Sequence, residues 1–122
     1  MKLLLVDDDA FLRDMYATKF TEAGHTVEVA KSGELAIEQL RANTYDVVLL
    51  DMVMPGVDGL ELLNKVKDEK LGGTPTLIVL SNQGEESDIK AAYDAGAKGY
   101  IIKAEMIPSE VLAKVEELAK SK

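Results

Sequence analysis

Five short runs rich in Val, Ile and Leu, at residues 2–6, 26–30, 46–50, 76–80 and 99–102, alternate along the chain with segments of helical spacing. No other feature constrains the fold as strongly. Each run is short for a helix and continuous enough to be shielded on both faces, as in a strand inside a parallel sheet. Between the runs, apolar residues recur at helical intervals. These are Leu12, Met15, Phe20 and Ala23; Ala36, Ile37 and Leu40; Leu60, Leu63 and Val66; Ile89, Ala92 and Tyr93; and Val111, Leu112, Val115, Leu118 and Ala119. Strict alternation demands crossover connections, and right-handed crossovers leave few topologies. The pattern predicts a doubly wound (βα)5 fold of the α/β class, a three-layer sandwich around a five-stranded parallel sheet.

Punctuation agrees with this division. Asp58 with Glu61 three residues on is a capping-box pattern, and Gly24 and Gly96 suit left-handed helix ends. Gly72-Gly73 with Pro75 is expected to close the third helix, and Pro108 fits the first turn of the fifth.

At 122 residues the chain is expected to form one domain, residues 1–122, burying roughly two-thirds of the surface that its unfolded form exposes. It has no cysteine and one histidine, which removes zinc ribbons, thiol redox chemistry and histidine-cluster metal sites, and suits a reducing cytoplasm. Its 22 acidic residues against 14 basic ones, a net charge of -8, oppose direct binding to a nucleic acid backbone or an anionic membrane. Asp7, Asp8 and Asp9 interrupt the apolar opening before a signal-peptide core is complete, and no run reaches transmembrane length. His25, ahead of the second strand at the amino-terminal rim, reads as surface structure. No phosphate-cradling Gly-x-x-x-x-Gly-Lys-Ser/Thr motif occurs.

In doubly wound sheets ligands gather beyond the carboxyl ends of the strands. There the first strand runs into Asp7, Asp8 and Asp9, the third into Asp51, the fourth into Ser81 and the fifth into Lys103. Any one of these is explained more simply as a turn former, a helix cap or a solvated charge. Together they are not, because Asp7, Asp8 and Asp51 would crowd carboxylates at adjacent strand ends. Two such charges about 4 Å apart repel by ~4 kcal/mol at an effective dielectric of about 20. That repulsion invites a cation, and all-oxygen ligands favour magnesium or manganese over zinc or copper.

Leu-Val-Asp-Asp at positions 5–8, Leu-Asp-Met-Val-Met-Pro-Gly-Val-Asp-Gly at 50–59, Ser81, Tyr100 and Lys103 follow one another in a familiar order. The chain resembles the receiver domains of two-component response regulators, including the single-domain type used in chemotaxis, over essentially its whole length. The resemblance implies a flavodoxin-like sheet of order 2-1-3-4-5 and a signalling switch, not an enzyme that turns over outside substrates. It implies that Asp51 accepts a phosphoryl group from a sensor histidine kinase or phosphotransfer protein. Asp8 is then a direct Mg2+ ligand, Asp7 a ligand mainly through water, and Val53 a ligand through its backbone carbonyl, with Asp51 beside the ion; Mn2+ could substitute. Lys103 and the Ser81 hydroxyl would hold phosphoryl oxygens. Coupled movements of Ser81 and Tyr100 would alter the face formed by the fourth helix, fifth strand and fifth helix, and so regulate a downstream protein. The protein is expected to be a monomer or a phosphorylation-dependent dimer.

The sequence departs from the resembled pattern at several positions. Ala104 stands where a proline, often cis, usually follows the lysine; a cis bond before Ala would cost about 2.5–4 kcal/mol, so a trans bond is expected. Asn82 replaces a small residue and narrows access to the acceptor. Val53 and Gln83 occupy the two positions that tune hydrolysis, and Val53 cannot orient an attacking water. Lys98-Gly99 replaces acidic residues of a known dimer contact. The chain ends after its fifth helical segment, which suits either a receiver acting alone or one separated from a longer regulator. Two other functions compete: a Mg2+-dependent phosphatase with an aspartyl nucleophile, which usually needs a second Asp where Val53 stands, and a degenerate receiver used only for docking.

Overall fold

The computed structural model describes residues 1–82 and 84–120, so Gln83, Ser121 and Lys122 lie outside the described residues. The elements are β1 (Lys2–Val6), α1 (Ala10–Glu22), β2 (Thr26–Ala30), α2 (Gly33–Ala42), β3 (Val47–Leu50), α3 (Gly59–Glu69), β4 (Thr76–Ser81), α4 (Glu86–Asp94), β5 (Gly99–Ile102) and α5 (Pro108–Lys120). Single 3-10 turns occupy Leu71–Gly73 and Lys103–Glu105. All strand pairs are parallel, in the order β2-β1-β3-β4-β5, which is the expected doubly wound, flavodoxin-like arrangement.

Two strand ends differ from expectation by one residue. β3 starts at Val47 because Asp46 serves as a side-chain partner at the sheet margin: its carboxylate accepts from the Lys2 N–H at 2.7 Å, and its own N–H donates to the Lys2 carbonyl at 2.8 Å. β4 extends through Ser81, which is in register with Ile102 of β5.

Successive strand residues face opposite sides, so the sheet carries two cores. Leu3, Leu5, Val47, Leu49, Ile78, Leu80 and Ile101 pack with Tyr16 and Phe20 of α1 and Val111 and Val115 of α5. Leu4, Val6, Val48, Leu50 and Val79 pack with Ala36, Ile37 and Leu40 of α2, Leu62, Leu63 and Val66 of α3, and Ala92 of α4. Each fully buried Leu or Ile contributes about 1.5–3 kcal/mol. A one-residue slip of a central strand would exchange the two sets, so register is strongly specified.

Helix ends follow the sequence with one exception. The Asp58 carboxylate accepts from the Glu61 N–H at 2.9 Å, and Gly24 and Gly96 take φ of 94° and 104°. Glu110 reaches back to the Ile107 N–H at 3.0 Å just ahead of Pro108. The exception is α3. Lys70, with φ 52° and ψ 47°, takes the left-handed position expected of Gly72-Gly73, and its N–H bonds to Val66 O. The glycines form the next turn, which is tied to the sheet where the Tyr45 N–H donates to Gly72 O at 3.0 Å.

Two details bear on the site. At Gly59, the first residue of α3, a Cβ would lie 2.3 Å from Asp51 O and 2.6 Å from Met52 Cα. Only glycine lets α3 begin against the backbone that follows β3. The Lys103–Ala104 peptide is trans as expected, with no cis bond among the described residues.

His25 is more enclosed than a surface residue. Its Nε2 lies 2.8 Å from the Glu116 carboxylate and its Nδ1 3.2 Å from the Met1 amino group. The ring thereby links α5 to the margin where β2 begins, at the opposite end of the sheet from Asp51. No helix among the described residues is long and apolar enough to cross a membrane.

Candidate functional site

Four charged or hydrophilic side chains are buried among the described residues: Asp7, Asp51, Ser81 and Lys103. All stand at the carboxyl ends of strands or just beyond them. Asp7 follows β1, Asp51 follows β3, Ser81 ends β4 and Lys103 follows β5. Burial of charge is costly unless it is paired, and the pairing here is direct. Lys103 Nζ donates to Asp7 Oδ2 at 2.8 Å and to Asp51 Oδ2 at 3.2 Å. The other carboxylate oxygens accept backbone donors, Asp7 Oδ1 from the Asp9 N–H at 3.0 Å and Asp51 Oδ1 from the Val53 N–H at 3.1 Å.

Burial by itself would lower the pKa of Lys103. The hydrogen bond to Asp7 and the charges of Asp51 and Asp7 outweigh it, leaving the ammonium above the ordinary lysine value. Lys103 is therefore a fixed cation at neutral pH.

Carboxylate oxygens of Asp7, Asp8 and Asp51 lie within 4.8 Å of one another. Three carboxylates against the one ammonium leave two formal negative charges, which a divalent cation would balance. The donors are all oxygen, as a hard cation such as Mg2+ or Mn2+ requires. The residues present fit such an ion.

The run of three acids divides into two roles. Asp9 caps α1, its carboxylate accepting from the Leu12 N–H at 3.1 Å, while Asp7 and Asp8 face Asp51. From the sequence, Asp7 and Asp8 are expected beside Asp51 and Asp9 has no part in the cation site; the capping role of Asp9 is added by the structure.

Tyr100 of β5 packs against the α2–α4 core, beside the Ser81 hydroxyl. Its phenol sits above the ordinary tyrosine pKa. Desolvation is the main cause, partly offset by the nearby Ser81 hydroxyl and reinforced by the charges of Asp88 and Asp51. The two residues expected to move together are thus neighbours, and Ser81 is already fully buried. Asn82 is exposed at the rim. The Val53 side chain, 63% exposed, presents only carbon beside Asp51.

Two residues near the site were not singled out from the sequence. Tyr16 is buried on α1, and desolvation raises its phenol pKa; the Lys103 charge lowers it and that of Asp7 raises it. It is not among the apolar positions that predict the first helix, although it stands four residues from both Leu12 and Phe20. Arg13 Nη1 donates to the Asp7 carbonyl at 3.0 Å. The available signal was a lone arginine one turn beyond an acidic strand end, on the helix that this end initiates.

The model of a family described as the response regulator receiver domain matches residues 3–116. The transcriptional regulatory protein ResD of Bacillus subtilis is 34% identical over 117 residues, covering 96% of this chain. This chain spans only 47% of that protein's length. Among solved structures, the chemotaxis protein CheY4 of Vibrio cholerae superposes with a TM-score of 0.89 at 25% identity, covering 96% of this chain and 97% of that one. The response regulator protein TrrA of Thermotoga maritima, solved in complex with Mg2+–BeF, gives a TM-score of 0.84 at 28% identity, covering 96% and 97%.

Proposed function

The chain belongs to the response regulator receiver domain family, and from that membership we propose that Asp51 accepts a phosphoryl group from a phosphohistidine on a separate kinase or phosphotransfer protein. The observation that carries this reading is the position of Asp51, buried at the end of β3 between the Lys103 ammonium and two further carboxylates. In an in-line transfer one Asp51 oxygen forms the new bond to phosphorus while the bond from phosphorus to the donor nitrogen breaks. Lys103 stands ready to hold a phosphoryl oxygen, and the Ser81 hydroxyl is the next donor along the rim. A Mg2+ ion held by Asp7, Asp8, Asp51 and the Val53 carbonyl would supply the neutralising charge, with Mn2+ as a substitute. The Mg2+–BeF complex of the Thermotoga relative supports this assignment.

Phosphorylation adds about -1.5 to -2 charges. Ser81, paired with β5 and beside Tyr100, gives that charge a path to β5, and the face formed by α4, β5 and α5 is the output proposed here, contacting a downstream protein. The reading places the domain in the cytoplasm. A phosphatase would need an acid/base where Val53 exposes carbon, which favours the switch.

Incubation with acetyl phosphate, with Mg2+ or with a chelator, tests the proposal by intact mass. One phosphoryl adduct per chain, formed only with Mg2+, is expected. Multiple turnover of unrelated phosphate esters would point to a phosphatase, and no adduct under any condition to a docking module.

Two variants sharpen the reading. Asp8 is exposed and makes no hydrogen bond or ion pair among the described residues, and the cap of α1 belongs to Asp9. Asp8→Asn should leave the metal-free melting temperature equal or higher, because it relieves repulsion, while abolishing the stabilisation that Mg2+ gives the wild type. Calorimetry with and without Mg2+ measures both. Val53→Asn should speed the spontaneous loss of the phosphoryl group by up to roughly a hundredfold, through a polar group able to orient water. Decay of the adduct, followed by mass, checks this; an unchanged rate removes position 53 from the account.

A further inference from the structure

Within the acidic set, Asp7 and Asp51 are each held by Lys103 and by a backbone N–H. No side-chain contact among the described residues holds Asp8, yet one of its oxygens lies within 4.8 Å of those of Asp7 and Asp51. Its aim is therefore set by the backbone of the turn from which it projects. Three hydrogen bonds define that turn. The Asp7 N–H donates to Ala30 O at 3.1 Å, the Asp9 N–H to Asp7 Oδ1 at 3.0 Å, and Arg13 Nη1 to Asp7 O at 3.0 Å.

The third bond acts most directly on Asp8. The Asp7 carbonyl shares a rigid peptide plane with the Asp8 nitrogen and Cα, so fixing that oxygen fixes the plane on which Asp8 is mounted. The planar guanidinium of Arg13 offers several donors, is partly buried, and makes no ion pair with a carboxylate among the described residues. Its placement is also costly in one respect, since it puts a cation close to a site suited to a divalent cation.

We propose that Arg13 is a positioning residue of the cation site, aiming Asp8 by clamping the Asp7 carbonyl. The inference rests on the Mg2+ reading above. It makes a prediction opposite in sign to the effect of charge alone. Removing a nearby positive charge should tighten Mg2+ binding, whereas removing a clamp should loosen it.

The test is calorimetric titration of the full chain with Mg2+ alone, for the wild type, Arg13→Ala and Arg13→Lys. Arg13→Ala is expected to bind about tenfold more weakly, the scale typical of residues that orient metal ligands. Arg13→Lys, which keeps a donor of similar reach, should bind more tightly than Arg13→Ala. In the metal-free protein, amide hydrogen exchange at Asp9 should accelerate in Arg13→Ala while the amides of β3 and β4 keep their protection. With acetyl phosphate, Arg13→Ala should need more Mg2+ for half-maximal adduct formation but reach a near wild-type rate at saturation. Mg2+ binding by Arg13→Ala as tight as that of the wild type or of Arg13→Lys would overturn the clamp, as would unchanged exchange at Asp9. If the wild type itself gives no Mg2+ binding, the metal assignment fails instead, and exchange in the metal-free protein still decides what Arg13 does.

Discussion

Asp51→Asn is expected to give no phosphoryl adduct with acetyl phosphate and Mg2+, under conditions that modify the wild type fully. The substitution keeps the shape of the side chain and an oxygen able to accept the Val53 N–H, which lies 3.1 Å from Asp51 Oδ1. What it removes is the proposed anionic nucleophile, for which a neutral amide is no substitute. The folded state should persist, because Lys103 retains its shorter bond to Asp7 at 2.8 Å and one source of repulsion disappears. Intact mass and a melting curve on the same sample separate the two effects. An adduct that survives the substitution would place the acceptor elsewhere and remove the central assignment.

Lys103→Met is expected to produce the largest loss of stability. The ammonium is the direct cationic partner of two carboxylates that are almost wholly buried, Asp7 at 1% and Asp51 at 8% exposure. Removing one partner of a buried pair strands the other charge at a cost of about 3–5 kcal/mol, which for a domain of this size lowers the melting temperature on the order of 10 °C. Mg2+ should restore more of that loss in the variant than it adds to the wild type, because the ion supplies the missing positive charge. The pH dependence follows from the direction of the shift. The folded-state pKa of Lys103 is raised, so its contribution is complete below the ordinary lysine value of about 10.4 and is lost as pH rises through the higher folded value. Wild type and variant should differ by the full amount at neutral pH and converge only in strong alkali. A melting temperature unchanged by Lys103→Met at neutral pH would show that the pair contributes nothing net to the fold.

The architecture was legible because its signals are local. Each strand announced itself as a short run rich in Val, Ile or Leu, interrupted only in the second by Glu28, and alternation with helical spacing required parallel strands whatever the details of packing. The site was legible by a second step. Parallel strands deliver the residues that follow them to one rim, so Asp7, Asp51 and Lys103 could be brought together from their places in the chain alone. Features that depend on a particular three-dimensional meeting were not legible in this way. Lys70 adopts a backbone angle for which glycine is the usual choice, and two glycines close by drew the expectation to themselves. The contact between Arg13 and the Asp7 carbonyl depends on how α1 leaves the acidic turn. Tyr16 fits the helical pattern of a core residue and is one, yet its phenol also feels the charges of Lys103 and Asp7. Amphipathic residues of this kind are assigned by their carbon and understood only when the polar tip is located.

The parallel sheet puts every ionisable group of the site at one pole and leaves the opposite pole to connecting loops. Gly24 has open space around its α-carbon but a φ of 94° that strains any side chain there, so the exposed Ala23 beside it, well away from the strand ends that carry Asp7, Asp51 and Lys103, is the better point of attachment. Short exposed loops of this kind accept insertions readily. A fluorophore or grafted peptide placed there would report on the molecule from a distance without touching its chemistry, so the fold itself marks out where a sensor can be attached.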